Sequence, residues 1–253
     1  MNTGICKLSI VPIRKEPTHR SEQVSQLLFG EGYTIINENQ SNWVEIRCAW
    51  DEYEGWIDTA QHTPLNDNEP SNEGIALETL CVASSSLSSI SVLAGSSLPN
   101  FDGLNFKIGK EKFVYNGQAL LPDTIKNTNL LDKIAMRYLH APYLWGGRSP
   151  VGIDCSGFTQ VVFKFLAIAL KRDAYQQAEQ GLTLNFLEEA HPGDLAFFNN
   201  EEGKITHVGI LLKDNRIIHA SGKVRIDTID HFGIYNADLK KYSHQLKIIK
   251  RIL

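Results

Sequence analysis

Cysteine is scarce in this 253-residue chain: Cys6, Cys48, Cys81 and Cys155 are the four, and no two stand in a CxxC pair. That spacing excludes a disulfide framework and a zinc knuckle, and leaves free thiols. Cationic charge is not in excess, with 25 Lys and Arg against 29 Asp and Glu and a net charge of −4. A footprint for nucleic acid or anionic lipid is therefore absent. No apolar run approaches membrane-spanning length. The start, MNTGICKLSIVPIR, lacks the basic region and sustained apolar stretch of a signal peptide. A cytoplasmic monomer is expected, with a periplasmic or extracellular location as the alternative if a leader was removed. Apolar residues are not lacking: at 42% they suffice for a substantial core.

Three segments follow one another. Residues 1–65 read as short strands broken by Pro, Gly, Asn and Ser, the pattern of a small β-barrel. ICKLSIVPI places Cys6, Leu8 and Ile10 on one face, NWVEIRCAW does the same for Val44, Ile46, Cys48 and Trp50, and Gly55 of EGWID marks a bend. A polar stretch, 63–74, reads as a linker. Residues 66–121 carry further strand-like pieces, with Asn116-Gly117 as a hairpin turn, and suggest a second small barrel. From about 122 the character changes. TNLLDKIAMRYLHA and SGFTQVVFKFLAIAL have helical periodicity, and GDLAFF, ITHVGILL and RIIHASG are strand patterns. Two helices and then an antiparallel meander make an α+β domain over 122–253.

Cys6 and Cys48 fall on apolar strand faces, where a buried inert thiol is the ordinary outcome. Cys155 instead opens a helix, between Asp154 and Ser156, either of which could cap the first turn. Helix N-terminal amides favour a thiolate, so a lowered pKa and a reactive thiol near neutral pH are expected there. The same amides can receive an oxyanion. A nucleophilic thiol needs an imidazole to take its proton and a third group to orient that ring. Of eight histidines, His19, His62, His140, His191, His231 and His244 lie in turns or in the polar tail and read as solvated. His207 begins one strand and His219 ends the next. They share a face if the intervening loop has odd length, 213–215, which sets His219 opposite Gly209, or if a bulge lies between the strands; a regular two-residue loop would set it opposite Ile210. Asn215 tolerates the left-handed conformation such a loop requires.

PYLWGGRSPVGIDCSGF, HPGDLAFF, THVGIL and IIHASG, in that order, resemble the NlpC-type family of papain-like cysteine peptidases. The first segment resembles the bacterial SH3-like barrels that precede this domain in murein-peptide recycling enzymes. The resemblance implies an α+β papain-like peptidase domain behind two SH3-like barrels. It implies Cys155 as nucleophile, His207 as base, His219 as the orienting third member, and Tyr143 near the thiol as an oxyanion stabiliser. Asp154, Ser156 and Trp145 would line the substrate cleft, and RDAYQQ (172–177) resembles the loop after the nucleophile helix. Glu22 and Tyr53 of the barrel would hold a substrate's free amino group.

The activity so implied is cleavage of the γ-D-glutamyl-L-diamino acid bond of short murein peptides with a free N-terminal L-Ala, without metal or cofactor. The alternatives are an exported peptidoglycan hydrolase, a thiol acyltransferase, and a wall-binding module with an idle triad.

Overall fold

The computed structural model describes residues 2–39, 42–65, 73–122 and 128–253. Two compact units emerge: Met1–Asp123 with Trp145–Pro150, and Thr124–Leu144 with Val151–Leu253. Most of the expected linker, 66–72, and with it the boundary expected at 65/66, lies outside the described residues. Among the described residues no helix is long and apolar enough to cross a membrane.

In the first unit, β1 (Thr3–Ile5), β2 (Ile10–Arg14), β3 (Gln23–Leu28), β4 (Gly32–Asn39), β5 (Trp43–Cys48), β6 (Glu54–Asp58) and β7 (Pro64–Leu65) form one antiparallel sheet, ordered β3-β2-β6-β5-β4-β1-β7. Val44, Ile46 and Cys48 bury one face of β5, as the alternation predicts. The first apolar run departs from its prediction. Cys6, Leu8 and Ile10 share no strand, because the backbone of Cys6 turns to bond Glu31 and Gly30, and Leu8 is left exposed. Gly55 lies within β6 and not at a bend. A Cβ there would meet Ile13 Cγ2 at 2.5 Å and the Arg14 carbonyl at 2.9 Å, so close strand packing explains the glycine.

The second segment forms two smaller sheets. One comprises β9 (Leu80–Ser84), β10 (Ser89–Leu93), β12 (Asn105–Ile108) and β13 (Glu111–Tyr115); the other comprises β8 (Gly74–Ala76), β11 (Ser97–Leu98) and β14 (Ala119–Leu120). Asn116-Gly117 is not a hairpin turn, since β13 and β14 belong to different sheets. The tight hairpin is instead at Gly109-Lys110, where Ile108 pairs with Glu111 and Gly109 takes a φ of +56°. Ile5 and Phe29 of the first segment share a core with Ala76, Val92, Phe106 and Phe113 of the second.

The segment Trp145–Pro150, with the short strand β15 (Arg148–Ser149), belongs to this first unit. It is held by a buried ion pair. Arg148 donates to both Glu31 carboxylate oxygens, at 2.7 and 3.0 Å, and to the Gln26 carbonyl at 2.7 Å. Gly146, at φ +74°, lets the chain pass the Gln23 carbonyl, where a Cβ would come within 2.5 Å.

The second unit begins with α1 (Thr128–Arg137) and β16 (Gly152–Ile153), followed by α2 (Cys155–Lys164) and the single turn α3 (Ala174–Gln177). Every residue of α2 is buried. The helix stops before its apolar pattern does, because Ala167 adopts φ +56° and cannot continue it. Then come β17 (Leu182–Leu184), β18 (Leu195–Asn199), β19 (Ile205–Leu212), β20 (Arg216–Ser221), β21 (Lys223–Asp230), β22 (Gly233–Asn236) and β23 (Lys241–Arg251). The polar tail of the sequence is thus three strands. β23, eleven residues long, pairs with β22 along its first half and with β18 and β17 along its second. The antiparallel sheet β18–β23 thereby returns on itself.

The Arg148–Glu31 pair is a point of high stake, because losing one partner strands a desolvated charge. Glu31→Gln is expected to destabilise the first unit by about 3–5 kcal/mol. The joint change Glu31→Leu with Arg148→Met should recover most of that loss. Denaturant melts of both variants check this; a wild-type midpoint for Glu31→Gln would refute it.

Candidate functional site

Helix α2 starts at Cys155 because Asp154, in extended backbone at φ −94°, accepts from the Gly157 amide at 2.7 Å. Of the two caps open in the sequence, Asp154 is used. Its carboxylate is in turn gripped by Arg172 at 2.6 and 3.1 Å, and Arg172 also donates to Ser156 Oγ at 3.0 Å. Gln177 of α3 props the same turn, donating from Nε2 to the Ser156 carbonyl at 3.0 Å while its Oε1 accepts from Thr159 Oγ1 at 2.7 Å. The segment after α2 therefore fixes the start of α2. Asp154 and Ser156 are buried within this network.

Strand β19 carries His207 and β20 carries His219. Gly209 stands opposite His219 and Leu212 opposite Arg216, with Asp214 and Asn215 both at positive φ. This is the three-residue loop the shared face requires. The two rings meet at right angles, and His207 Nε2 lies 2.8 Å from His219 Nδ1. A bulge at Thr206, between the pairs Phe198–His207 and Asn199–Ile205, turns the strand just before His207. The Cys155 thiol contacts the Thr206 carbonyl at 4.0 Å.

The sequence reading missed the next link. Asp227 of β21 accepts from His219 Nε2 at 2.9 Å and is clamped by Arg225 at 2.6 and 2.8 Å. A carboxylate can only accept, so His219 carries its proton on Nε2 and offers Nδ1 as an acceptor. His207 must then donate from Nε2, which leaves its Nδ1 with the free lone pair. Asp227 thus sets the tautomer of a ring it does not touch. Burial alone would raise the Asp227 carboxyl, but hydrogen bonds from His219 and Arg225 outweigh it and hold it below the usual range. Its signal in the sequence is strand period: Arg225 stands opposite His219, and Asp227 lies two residues on, along the same face.

His244 is a second omission, and a correction. It is not a solvated tail residue but stacks on His207 with ring centroids 4.0 Å apart and planes at 23°. The ligand atoms of His207, His219 and His244 all lie within 4.8 Å of one another. Imidazole lone pairs lie in the ring plane, however, so two nearly parallel stacked rings cannot both point at one ion about 2.0 Å away. The cluster has the form of a stack, not of a chelate. His62 is also not solvated, since Tyr33 Oη lies 2.9 Å from its Nδ1.

The expected thiolate is corrected too. Burial pushes the Cys155 thiol up to about 12, and the neighbouring Asp154 adds to the rise against the Ser156 and Val208 amides. Burial likewise drives His207 well below 6.5, helped by His219 and His244. Burial outweighs the helix-terminal amides at Cys155, so it disfavours the thiolate there and the imidazolium at His207. Tyr143 is half-buried, its hydroxyl raised by burial and by nearby Cys155 and Asp154. In the first unit the Trp145 indole donates to Glu22 Oε1 at 2.7 Å, and Tyr53 packs against the barrel core.

With this geometry in place, comparison with known proteins places residues 140–243 on the NlpC/P60 family model and residues 13–61 on the bacterial dipeptidyl-peptidase SH3 domain. Dipeptidyl-peptidase 6 of Lysinibacillus sphaericus is 27% identical, covering 88% of this chain and 91% of that protein. A gamma-D-glutamyl-L-lysine dipeptidyl-peptidase of Bacillus cereus is 26% identical, covering 80% of this chain and 68% of that one. The crystal structure of an NlpC/P60 family protein from Bacillus cereus shares the fold, with a TM-score of 0.82 over 99% of both chains at 19% identity.

Two outcomes follow from the buried, neutral site. With His207 held below 6.5, the base stays neutral at neutral pH, so kcat/KM should fall only as pH drops below 6.5. Iodoacetamide labelling of Cys155 should keep accelerating from about pH 6 to 9, since only the thiolate is alkylated. A plateau already reached at acid pH would mean a preformed ion pair. The second outcome concerns Asp227→Asn. An asparagine amide can donate to His219 Nε2 and turn its Nδ1 into a donor, so kcat should fall about a hundredfold with little change in KM. Unchanged kcat would remove Asp227 from the relay.

Proposed function

This chain carries an NlpC/P60 papain-like domain behind a bacterial SH3 domain and is a cysteine peptidase, and from that premise we propose that it cleaves the γ-D-glutamyl-L-diamino acid bond of short murein peptides. The reading goes further, to peptides with a free N-terminal L-Ala, as released in cell-wall recycling. The observation that carries it is the His207–His219 hydrogen bond, on strands packed against the helix that Cys155 opens. The names of the relatives, dipeptidyl-peptidase and gamma-D-glutamyl-L-lysine dipeptidyl-peptidase, support the substrate class. The architectural part of the proposal is an α+β peptidase domain behind two SH3-like barrels. The two separate small sheets of residues 74–120 support the second barrel.

In this mechanism the Cys155 sulfur attacks the γ-glutamyl carbonyl carbon as its proton passes to His207 Nδ1. Because thiol and imidazole start neutral, proton transfer accompanies attack. Amides at the start of α2, and the Tyr143 hydroxyl, stabilise the oxyanion that forms. The imidazolium then protonates the leaving amine, giving a thioester and the released diamino acid portion. Water, deprotonated by His207, hydrolyses the thioester and restores the thiol. His219 holds the His207 ring and never exchanges a proton with substrate.

The requirement for a free amino terminus, and its assignment to Glu22 and Tyr53, rest on the resemblance of residues 13–61 to the dipeptidyl-peptidase SH3 domain. An unpaired buried ammonium is strongly unfavourable, so a carboxylate is the fitting partner. Purified protein is expected to release L-Ala-γ-D-Glu from the L-Ala-γ-D-Glu-diamino acid tripeptide. N-acetylated tripeptide and Glu22→Ala should each lower kcat/KM about a hundredfold. Equal turnover of free, acetylated and wall-bound peptide would favour a hydrolase of intact wall. No turnover of any of them by a protein whose Cys155 alkylates would overturn the reading.

A further inference from the structure

His207 needs more than one hydrogen bond to serve as a base. The contact with His219 fixes a single ring atom, and a small rotation about the Cβ–Cγ bond would carry both nitrogens off line. Three rings surround it. His219 meets it edge-on, Phe198 lies tilted at 47° with centroids 5.7 Å away, and His244 alone lies nearly parallel against a face.

His244 is itself firmly placed. Its Nδ1 lies 2.9 Å from Ser243 Oγ, and that hydroxyl lies 3.3 Å from the Ile234 carbonyl. A hydroxyl has one proton and a carbonyl can only accept, so Ser243 donates to Ile234 and His244 donates from Nδ1. The backbone is constrained as well. Ile234 pairs with His244 while Tyr235 pairs with Tyr242, which leaves Ser243 as the extra residue of a bulge and aims the next side chain. Gly233, at φ +140°, allows β22 to reach the His244 carbonyl, where a Cβ would clash. Serine, bulge and glycine all serve the placement of one imidazole. The family match ends at Ser243 and leaves His244 without an assigned part.

We propose that His244 is a positioning residue for the general base: its ring, stacked on His207, holds that imidazole in the plane where Nε2 meets His219 and Nδ1 stays free for the thiol proton. This rests on the assignment of His207 as base. The stack also suits the reaction's charge. Burial lowers the His244 pKa to about 4, His219 adding to that and Asp227 opposing it, so the ring is neutral when His207 becomes imidazolium. A cation over a neutral aromatic face is attractive, and two charged rings at this separation would repel.

The test compares His244→Ala, which removes the face, with His244→Phe, which keeps it without a titrating nitrogen. Kinetics on the tripeptide are measured together with melting temperature and histidine 15N NMR. The Ala variant should lose about ten- to a hundredfold in kcat at nearly constant KM, and the Phe variant should recover most of it. The NMR spectrum should show His207 protonated on Nε2 in wild type and in the Phe variant, with that tautomer lost in the Ala variant. Wild-type kcat in the Ala variant would overturn the proposal, as would equal impairment of both variants, or lowered kcat with the His207 tautomer retained. A His207→Ala variant with full turnover would instead overturn the base assignment itself, and the tautomer spectrum separates the two because it does not depend on turnover.

Discussion

One proton, on Nε2 of His219, sets the order of the hydrogen bonds that run through the buried imidazoles. Asp227 can only accept it, at 2.9 Å, and that requirement passes through His219 to His207, at 2.8 Å, and so leaves the lone pair on Nδ1 of His207. Each contributor comes from a different strand, β19, β20 and β21, so sheet register is what delivers a tautomer. Had His219 stood opposite Ile210 instead of Gly209, its ring would have faced the other side of the sheet, with Asp227 and His207 out of reach. Arg225 completes the arrangement by keeping Asp227 ionised in a place where burial works against charge.

Burial also explains why the site is wired through neutral groups. A thiolate and an imidazolium buried together would each give up hydration, and the dipole at the start of α2 does not make up the difference. The carboxylate at that helix start, Asp154, is already matched by Arg172, so it acts as a structural cap. Charge is thereby held in two ion pairs, Asp154 with Arg172 at the start of α2 and Asp227 with Arg225 against His219.

Local signals in the sequence single out Cys155, His207 and His219 as candidates, because each rests on nearby pattern: a glycine-flanked helix start, and two strands across one short loop. Residues whose role depends on pairing between distant strands were not legible in this way. Asp227 and Arg225 lie on a strand that reads as polar tail, and His244 lies on β23, whose partners β18 and β22 are set by closure of the sheet. The thiol's protonation depends on burial in a related way. A helix terminus can be seen in sequence, but the depth to which it is buried cannot. In the first unit, Gly55 and Asn116-Gly117 read as a bend and a turn from residue type alone, although a glycine inside a strand, as Gly55 is, records close packing.

The return of β23 onto β18 has a consequence for timing. Leu195 pairs with Lys250, so this edge forms only after more than fifty intervening residues have been gathered. Contacts of such separation pay their loop-closure entropy late in folding. The imidazole cluster draws on β18 through Phe198, on β19, β20 and β21, and on β23 through His244. The imidazole cluster is therefore complete only once the sheet has closed on itself.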